Sequence, residues 1–151
     1  MATLVTDPDL EQRLRTQRAA TGADRYDEVW DGAYMMVPMP NDEHQNVVTR
    51  LSAIFQQLID WPGLGEVRAG VNVSDRREDW QHNYRVPDVA VFLAGGHAEN
   101  CDAFWYGGPD FVVEVVSRRS TVLPIAFRLE SGPKRPQIRV EHVDSDQTWV
   151  V

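Results

Sequence analysis

Lysine and cysteine are nearly missing from this 151-residue chain. The single cysteine, Cys101, excludes an internal disulfide and fits a reducing compartment, so we expect a cytoplasmic protein. No apolar run approaches the roughly 18 residues of a membrane-spanning helix, and the N-terminus becomes charged before a signal-like apolar core develops, so neither a membrane partner nor export is predicted. The single lysine, Lys134, lies near the C-terminal end.

The composition predicts one folded domain with an acidic surface. Hydrophobic residues make up 42% of the chain and charged residues 25%, and the length suits a single domain over residues 1–151. The formal net charge of -8 disfavours nonspecific adhesion to polyanions. Residues 1–116 hold 9 basic and 19 acidic side chains, whereas residues 117–151 hold 6 and 4, so only the C-terminal segment is basic.

Local signals predict two helices and a hairpin in the first part of the chain. Asp7-Pro8-Asp9 predicts a helix start, and the helix continues toward Gly22. Residues 25–40 form two strand-like runs about Asp31-Gly32, a dipeptide suited to a tight hairpin turn. Asn41 predicts the cap of a second helix. Its apolar stripe is Val47, Leu51, Ile54, Phe55, Leu58 and Ile59.

Further along, the pattern predicts strands. Residues 66–74 alternate like a half-buried strand, and residues 86–93 (VPDVAVFL) and 111–117 (FVVEVVS) are apolar runs. These runs are typical of strands covered on both faces, which predicts an α/β (α+β) fold with helices flanking a mixed β-sheet. Residues 75–85 and 94–109 are expected to be loops. Residues 121–129 predict a strand, and residues 137–151 a terminal hairpin.

Each of the two apolar runs carries one acid, Asp88 in the first and Glu114 in the second. An ionised carboxylate in an apolar setting is costly unless a cation or hydrogen-bond donors compensate it, so the pair suggests a shared metal ion. The alternative is that both acids lie at the sheet margins and accept hydrogen bonds from local amides.

The order of these elements resembles the Uma-type family of restriction endonucleases, in the PD-(D/E)XK nuclease superfamily. The resemblance covers residues 25–117, leaves residues 118–151 divergent, and implies a restriction-endonuclease-like fold. The matching residues are Tyr26-Asp27-Glu28 to Gly32, His44, Val86-Pro87-Asp88-Val89 and Val113-Glu114-Val115-Val116-Ser117.

The resemblance implies metal-dependent hydrolysis of DNA phosphodiesters. Asp88 and Glu114 would bind Mg²⁺ (or Mn²⁺), with the Val115 carbonyl as a further ligand. Oxygen donors are those that magnesium prefers. His44 would orient a water or an acid, and Glu28 would be a supplementary acid near the metal. Each of these two also has a simpler interpretation, as a surface or packing residue.

Other polar residues are assigned less specific roles. Arg118 and Arg119 follow the second acidic strand and either face phosphate or mark a solvated strand end. Pro109-Asp110 repeats the family's dipeptide, but its place after Gly107-Gly108 favours a turn or edge role. The remaining histidines are interpreted as surface residues: His82, His97 and His142.

One departure from the family bears on activity. Nucleases of this superfamily present a lysine two residues after the acid or on a neighbouring helix, whereas Val116 stands two residues after Glu114. Arginine is a weak replacement because its high pKa makes it a poor proton acceptor. The pattern after Ser117 also lacks the helix that the family would place there, so we expect exposed apolar surface and self-association.

Three functional classes therefore remain open from the sequence. The first is a magnesium-dependent endonuclease acting on DNA, and the second is a catalytically degenerate module of the same fold that binds or assembles. The third is a small-molecule- or protein-binding α/β domain without a metal.

Overall fold

The computed structural model describes residues 3–115 and 139–140. Its first elements are β1 (Thr3–Leu4), α1 (Pro8–Thr21), β2 (Glu28–Trp30) and β3 (Ala33–Met36). The predicted first helix is confirmed: Asp7 caps α1 by accepting a hydrogen bond from the Leu10 amide, and Gly22 ends it at a φ of 69°. The three strands form one antiparallel sheet in the order β1-β3-β2.

The predicted hairpin is confirmed as β2 and β3. Asp31 and Gly32 connect the strands with φ angles of 48° and 84°. Two successive positive φ angles match the right-handed twist of a hairpin, and Gly and Asp tolerate them.

The second predicted helix is confirmed as α2 (Asp42–Phe55), which continues into a π-helical turn, Gln56–Asp60. Its buried face differs slightly from the prediction. Val48 is buried, whereas Ile54 and Leu58 are exposed. The helix packs through Val48, Leu51, Phe55 and Ile59, and this spacing leaves Ile54 and Leu58 on the flank of the helix.

Seven strands are described after α2. They are β4 (Gly65–Arg68), β5 (Val73–Ser74), β6 (Val89–Leu93), β7 (Glu99–Asn100), β8 (Trp105–Tyr106), β9 (Phe111–Val113) and β10 (Arg139–Val140). The central sheet has the order β10-β9-β6-β4, with β10 parallel to β9 and the other pairs antiparallel. The sheet is therefore mixed, and the predicted α+β class is confirmed.

Strand β6 is the centre of the core and is covered on both faces, as predicted. Val89 and Val91 point toward the cluster that includes Val48 of α2. Ala90 and Phe92 point to the opposite face, where Phe92 stacks on Trp105 at 3.7 Å between ring centroids. The second cover is the small sheet β5-β8-β7 and not a helix.

Three loop and strand predictions need correction. The single strand predicted over 66–74 is two strands in different sheets, β4 and β5, separated by Gly70 at a φ of 59°. The excursion 94–109 contains β7 and β8. The loop 75–85 holds a 3₁₀ turn, Trp80–His82, and its end pairs with neighbouring strands through isolated bridges.

Most of the predicted C-terminal elements fall outside the described residues. The strand predicted over 121–129 does so entirely, and of the hairpin over 137–151 only Arg139–Val140 is described, as a strand. Over residues 3–115 and 139–140, no helix combines the length and apolarity needed to cross a lipid bilayer.

Candidate functional site

Asp88 lies immediately before β6, at the margin of the central sheet. Its Oδ1 is 2.9 Å from His44 Nε2, and its Oδ2 accepts a hydrogen bond from the Val115 amide at 2.6 Å. The side chains of His44 and Asp88 are 16% and 18% exposed, so the contact is shielded but reachable by solvent. Asp88 was expected in mid-strand, whereas the ladder begins at Val89 and places Asp88 just outside it.

Helix α2 positions His44. Asn41, the residue before the helix, accepts a hydrogen bond from the His44 amide at 2.9 Å. The cap thus holds the first turn of α2 at the residue whose imidazole meets Asp88, since capping satisfies amides of the first turn that have no partner within the helix.

The contact with Asp88 alters the acidity of His44. The hydrogen bond to the Asp88 carboxylate raises the pKa of the His44 imidazole, while partial burial opposes the rise. The protonated ring is therefore favoured when it donates to the carboxylate, and His44 and Asp88 form an ion pair in that state.

Glu114 follows β9 directly and is exposed. This corrects the expectation of two acids buried within strands and agrees with the alternative that they lie at the sheet margins, because the ladder ends at the Val89 and Val113 pair and each acid lies one residue beyond it. Asp88 precedes Val89 and Glu114 follows Val113, and these two valines are paired across the strands. The amide of Val115, the residue after Glu114, donates to Asp88. The backbones that carry the two acids therefore lie side by side at one end of the sheet.

Glu28 on β2 accepts two hydrogen bonds. Its Oε1 accepts from the Val86 amide at 2.8 Å, and its Oε2 accepts from Trp30 Nε1 at 2.6 Å. Burial is the largest cause of a raised pKa for the Glu28 carboxyl, and the charge of Asp88 adds to it, while the two hydrogen bonds lower it. The contact with Trp30 was not anticipated, although residues two apart on a strand share a face.

Asp110 has the structural role predicted for it. Its Oδ2 accepts a hydrogen bond from the Leu93 amide at 2.8 Å, and its own amide donates to the Val91 carbonyl at 2.9 Å. The second Pro-Asp dipeptide therefore joins the start of β9 to the end of β6.

The other candidate residues either lie away from the contact between His44 and Asp88 or fall outside the described residues. His82 pairs with Asp79 at 2.7 Å in an exposed position, and His97 is exposed after β6. Arg118, Arg119 and His142 lie outside the described residues. Among the residues the structure describes, no three acidic, histidine or cysteine side chains are close enough together to hold a metal ion.

Comparison with known proteins identifies one family. The model of Uma2, described as "Putative restriction endonuclease", matches residues 10–123. Among solved structures, the chain is similar to the crystal structure of a putative nuclease belonging to DUF820 from Anabaena variabilis ATCC 29413, with 16% identity and a TM-score of 0.48. That match covers 60% of this chain and 50% of the other, so it spans half of that protein's length. None of the curated proteins matches the chain.

Proposed function

Because the chain belongs to the Uma2 family of restriction-endonuclease-like proteins, we propose that it hydrolyses DNA phosphodiester bonds with a divalent cation held at Asp88 and Glu114. The observation that carries the proposal is the position of Asp88. Asp88 lies within the residues that match the family model, and its segment lies beside the backbone that carries Glu114. Its carboxylate contacts His44, in the first turn of the capped helix α2.

The chemistry of the available donors fits magnesium. The Asp88 and Glu114 carboxylates and the Val115 carbonyl are hard oxygen donors, and Mg²⁺ commonly takes one or two carboxylates and keeps several waters. Each Asp88 oxygen has lone pairs beyond the one used in its observed hydrogen bond. When bound, the cation supplies charge stabilisation at the phosphate and lowers the pKa of a bound water.

The protein's own residues orient this donor set. His44 holds Asp88 Oδ1, and the Val115 amide holds Oδ2, so the carboxylate is restricted from both sides. Such restriction reduces the reorganisation needed when a ligand binds. In the proposal Arg118 and Arg119, which follow in the sequence, contact the phosphate of the substrate.

A second candidate is a nuclease-like module that binds but does not turn over. The observation that favours it is Val116, which stands two residues after Glu114 where the superfamily presents a lysine. The chain's single lysine is Lys134. Loss of a group that stabilises the transition state lowers turnover by orders of magnitude without requiring loss of metal binding.

Calorimetric titration of Mn²⁺ tests the metal site directly. The wild type is expected to bind one ion, and Asp88→Ala is expected to lose that binding. Asp110→Ala is the matched control, because Asp110 also follows a proline and also accepts a main-chain hydrogen bond at a strand end. It should retain the wild-type affinity. Absence of binding in the wild type, or equal loss in the two variants, would refute the site.

Turnover is a separate measurement. Supercoiled plasmid incubated with Mg²⁺ and the protein should be nicked or cut if the first candidate holds, and Asp88→Ala should abolish the cleavage. Metal binding together with an intact plasmid at high protein concentration would instead support the non-catalytic module.

A further inference from the structure

Glu28 links the hairpin β2–β3 to the chain segment that carries Asp88. Its two oxygens accept hydrogen bonds from different donors, the Val86 amide and the Trp30 indole. Hydrogen bonds to an ionised carboxylate are stronger than those between neutral groups. One side chain therefore ties Val86, two residues before Asp88, to the strand opposite.

The segment before β6 is held to β2 by further contacts. Tyr84 and Val29 exchange two backbone hydrogen bonds, at 3.2 and 2.8 Å. Arg85 Nη1 donates to the Val29 carbonyl at 2.9 Å, and its guanidinium lies 4.5 Å from the centre of the Trp30 ring. Each of the three consecutive residues 84–86 is therefore held in place by a contact with the hairpin.

Pro87 transmits this fixed position to Asp88. Proline restricts its own φ and also restricts the residue before it, so a chain fixed at Val86 has few ways to leave Pro87. Pro87 is fully buried, and its carbonyl accepts a hydrogen bond from the Gly70 amide at 3.2 Å. The direction in which Asp88 departs therefore depends on where Val86 is held.

We propose that Glu28 is a positioning residue: by holding the Val86 amide it sets the orientation in which Asp88 reaches His44 and Val115. Its consequence for a cation rests on the proposed function, whereas its consequence for the Asp88–Val115 hydrogen bond does not. A direct metal ligand is the competing role. The observed contacts favour positioning, since one Glu28 oxygen binds the Val86 amide two residues before Asp88 and the other binds the Trp30 indole of the hairpin.

The site requires a carboxylate at position 28 and not an amide. Two N–H groups converge on the side chain, and a carboxylate accepts from both. Glutamine offers one acceptor oxygen and an NH₂ group, so one of the two donors would lose its partner. Glu28→Gln therefore changes the contact while keeping the size of the side chain.

The test follows the exchange of individual amide protons by NMR in metal-free protein. Glu28→Gln should accelerate exchange selectively at Val86 and Val115, about tenfold or more, the factor that corresponds to one lost hydrogen bond. Val115 is the decisive probe, because it contacts Asp88 and not Glu28 in the structure. If Glu28 only stabilised the sheet, Glu28→Gln would accelerate the exchange of all the amide protons of the β6 ladder together.

Two further variants make the result interpretable. Glu78→Gln removes an exposed carboxylate and should leave Val115 exchange unchanged. Trp30→Phe keeps an aromatic ring but removes one donor to Glu28, so it should produce the same pattern at smaller amplitude, and it replaces Glu28→Gln if that variant fails to fold.

Metal titration separates this inference from the proposed function. If the wild type binds Mn²⁺, Glu28→Gln should weaken the affinity several-fold and retain one site. Loss of Mn²⁺ binding with unchanged Val115 exchange would assign Glu28 as a ligand and overturn the positioning role. If the wild type binds no Mn²⁺, the metal site fails, and Val115 exchange alone decides the role of Glu28. Accelerated Val86 exchange with unchanged Val115 exchange overturns it, in Glu28→Gln or, if the glutamine oxygen keeps the Val86 amide, in Glu28→Met, which offers neither donor a strong acceptor.

Discussion

At the scale of single residues, Asp27 is a buried acid away from the candidate site that accepts several hydrogen bonds. Asp27 is 1% exposed and accepts hydrogen bonds from Arg18 Nε and Nη2, both at 2.6 Å. The Tyr34 hydroxyl and the Val37 amide also donate to it. The hydrogen bonds that Arg18 donates to Asp27 raise the pKa of the guanidinium. This network joins α1 to the hairpin.

Arg18→Met should lower the free energy of unfolding by about 3–5 kcal/mol, because it leaves the Asp27 charge buried without its cation. Urea denaturation at neutral pH measures the loss. Arg13→Met, at an exposed position of the same helix, should change stability by less than about 0.5 kcal/mol. Similar losses in the two variants would mean that the buried pair has no special weight.

The pair of His44 and Asp88 predicts a pH dependence of stability in metal-free protein. The folded state raises the pKa of His44 above its ordinary value of 6.5, chiefly through the hydrogen bond with Asp88. The stabilisation is therefore complete below the unfolded-state pKa and is lost as the pH rises through the folded-state pKa. His44→Gln should cost more stability at about pH 6 than at about pH 9.

Denaturant unfolding at both pH values measures this difference. His97→Gln, at an exposed position, controls for the removal of one imidazole. A cost of His44→Gln that is equal at both pH values would show that the ion pair contributes nothing to stability.

At the scale of elements, the cap of α2 connects helix stability to the site. Asn41→Ala should cost about 1 kcal/mol of stability, the usual value of an N-cap. Because the lost hydrogen bond ends on His44, we also expect weaker Mn²⁺ binding. Asp7→Ala removes the equivalent cap of α1 and should cost a similar amount while leaving Mn²⁺ affinity unchanged. Calorimetry and thermal unfolding of both variants measure the two effects, and equal affinities would contradict the link.

The elements that the sequence predicted well are those with local signals. Caps at Asp7 and Asn41 and the Asp31-Gly32 turn act within a few residues, so their patterns suffice. The cover on the second face of β6 could not be predicted, because it depends on Trp105 of a two-residue strand packing against Phe92. Such short strands have no periodicity to detect.

The candidate site was predictable in its residue types and only partly in its geometry. Asp88 and Glu114 were named from their places in two apolar runs and His44 from the family resemblance, and the structure joins Asp88 to His44. The end of the ladder at Val113 was not visible in an apolar run that continues to Val116, so the exposure of Glu114 was missed. The partners of Glu28 required knowledge of how the hairpin meets the segment before β6.

At the scale of the whole molecule, the described surface carries an apolar stripe on the outer side of α2 and the turn after it. Its members are exposed by 51%, 61%, 73% and 58% in the order Ile54, Leu58, Trp61 and Leu64. Large contiguous apolar surface is a common sign of an interface. We propose that the self-association expected from the sequence uses this stripe.

The double variant Leu58→Lys with Trp61→Lys should therefore shift the protein toward monomer. Sedimentation velocity over a concentration series measures the shift. Leu10→Lys, at an exposed position of α1, should leave association unchanged. A wild type that remains monomeric at the highest concentration would contradict the proposal.

The contacts of Asp88 and Asp110 also give the central sheet a local symmetry. Strands β6 and β9 are antiparallel, so a two-fold rotation between them exchanges their ends. Each strand is preceded by Pro-Asp, and in each case the aspartate Oδ2 accepts a hydrogen bond from the amide one residue past its cross-strand neighbour, Val115 for Asp88 and Leu93 for Asp110. The Pro-Asp dipeptide is therefore associated with the same cross-strand hydrogen bond at the start of both strands. The capped helix that brings His44 to Asp88 breaks this symmetry and distinguishes the candidate centre from its symmetry mate.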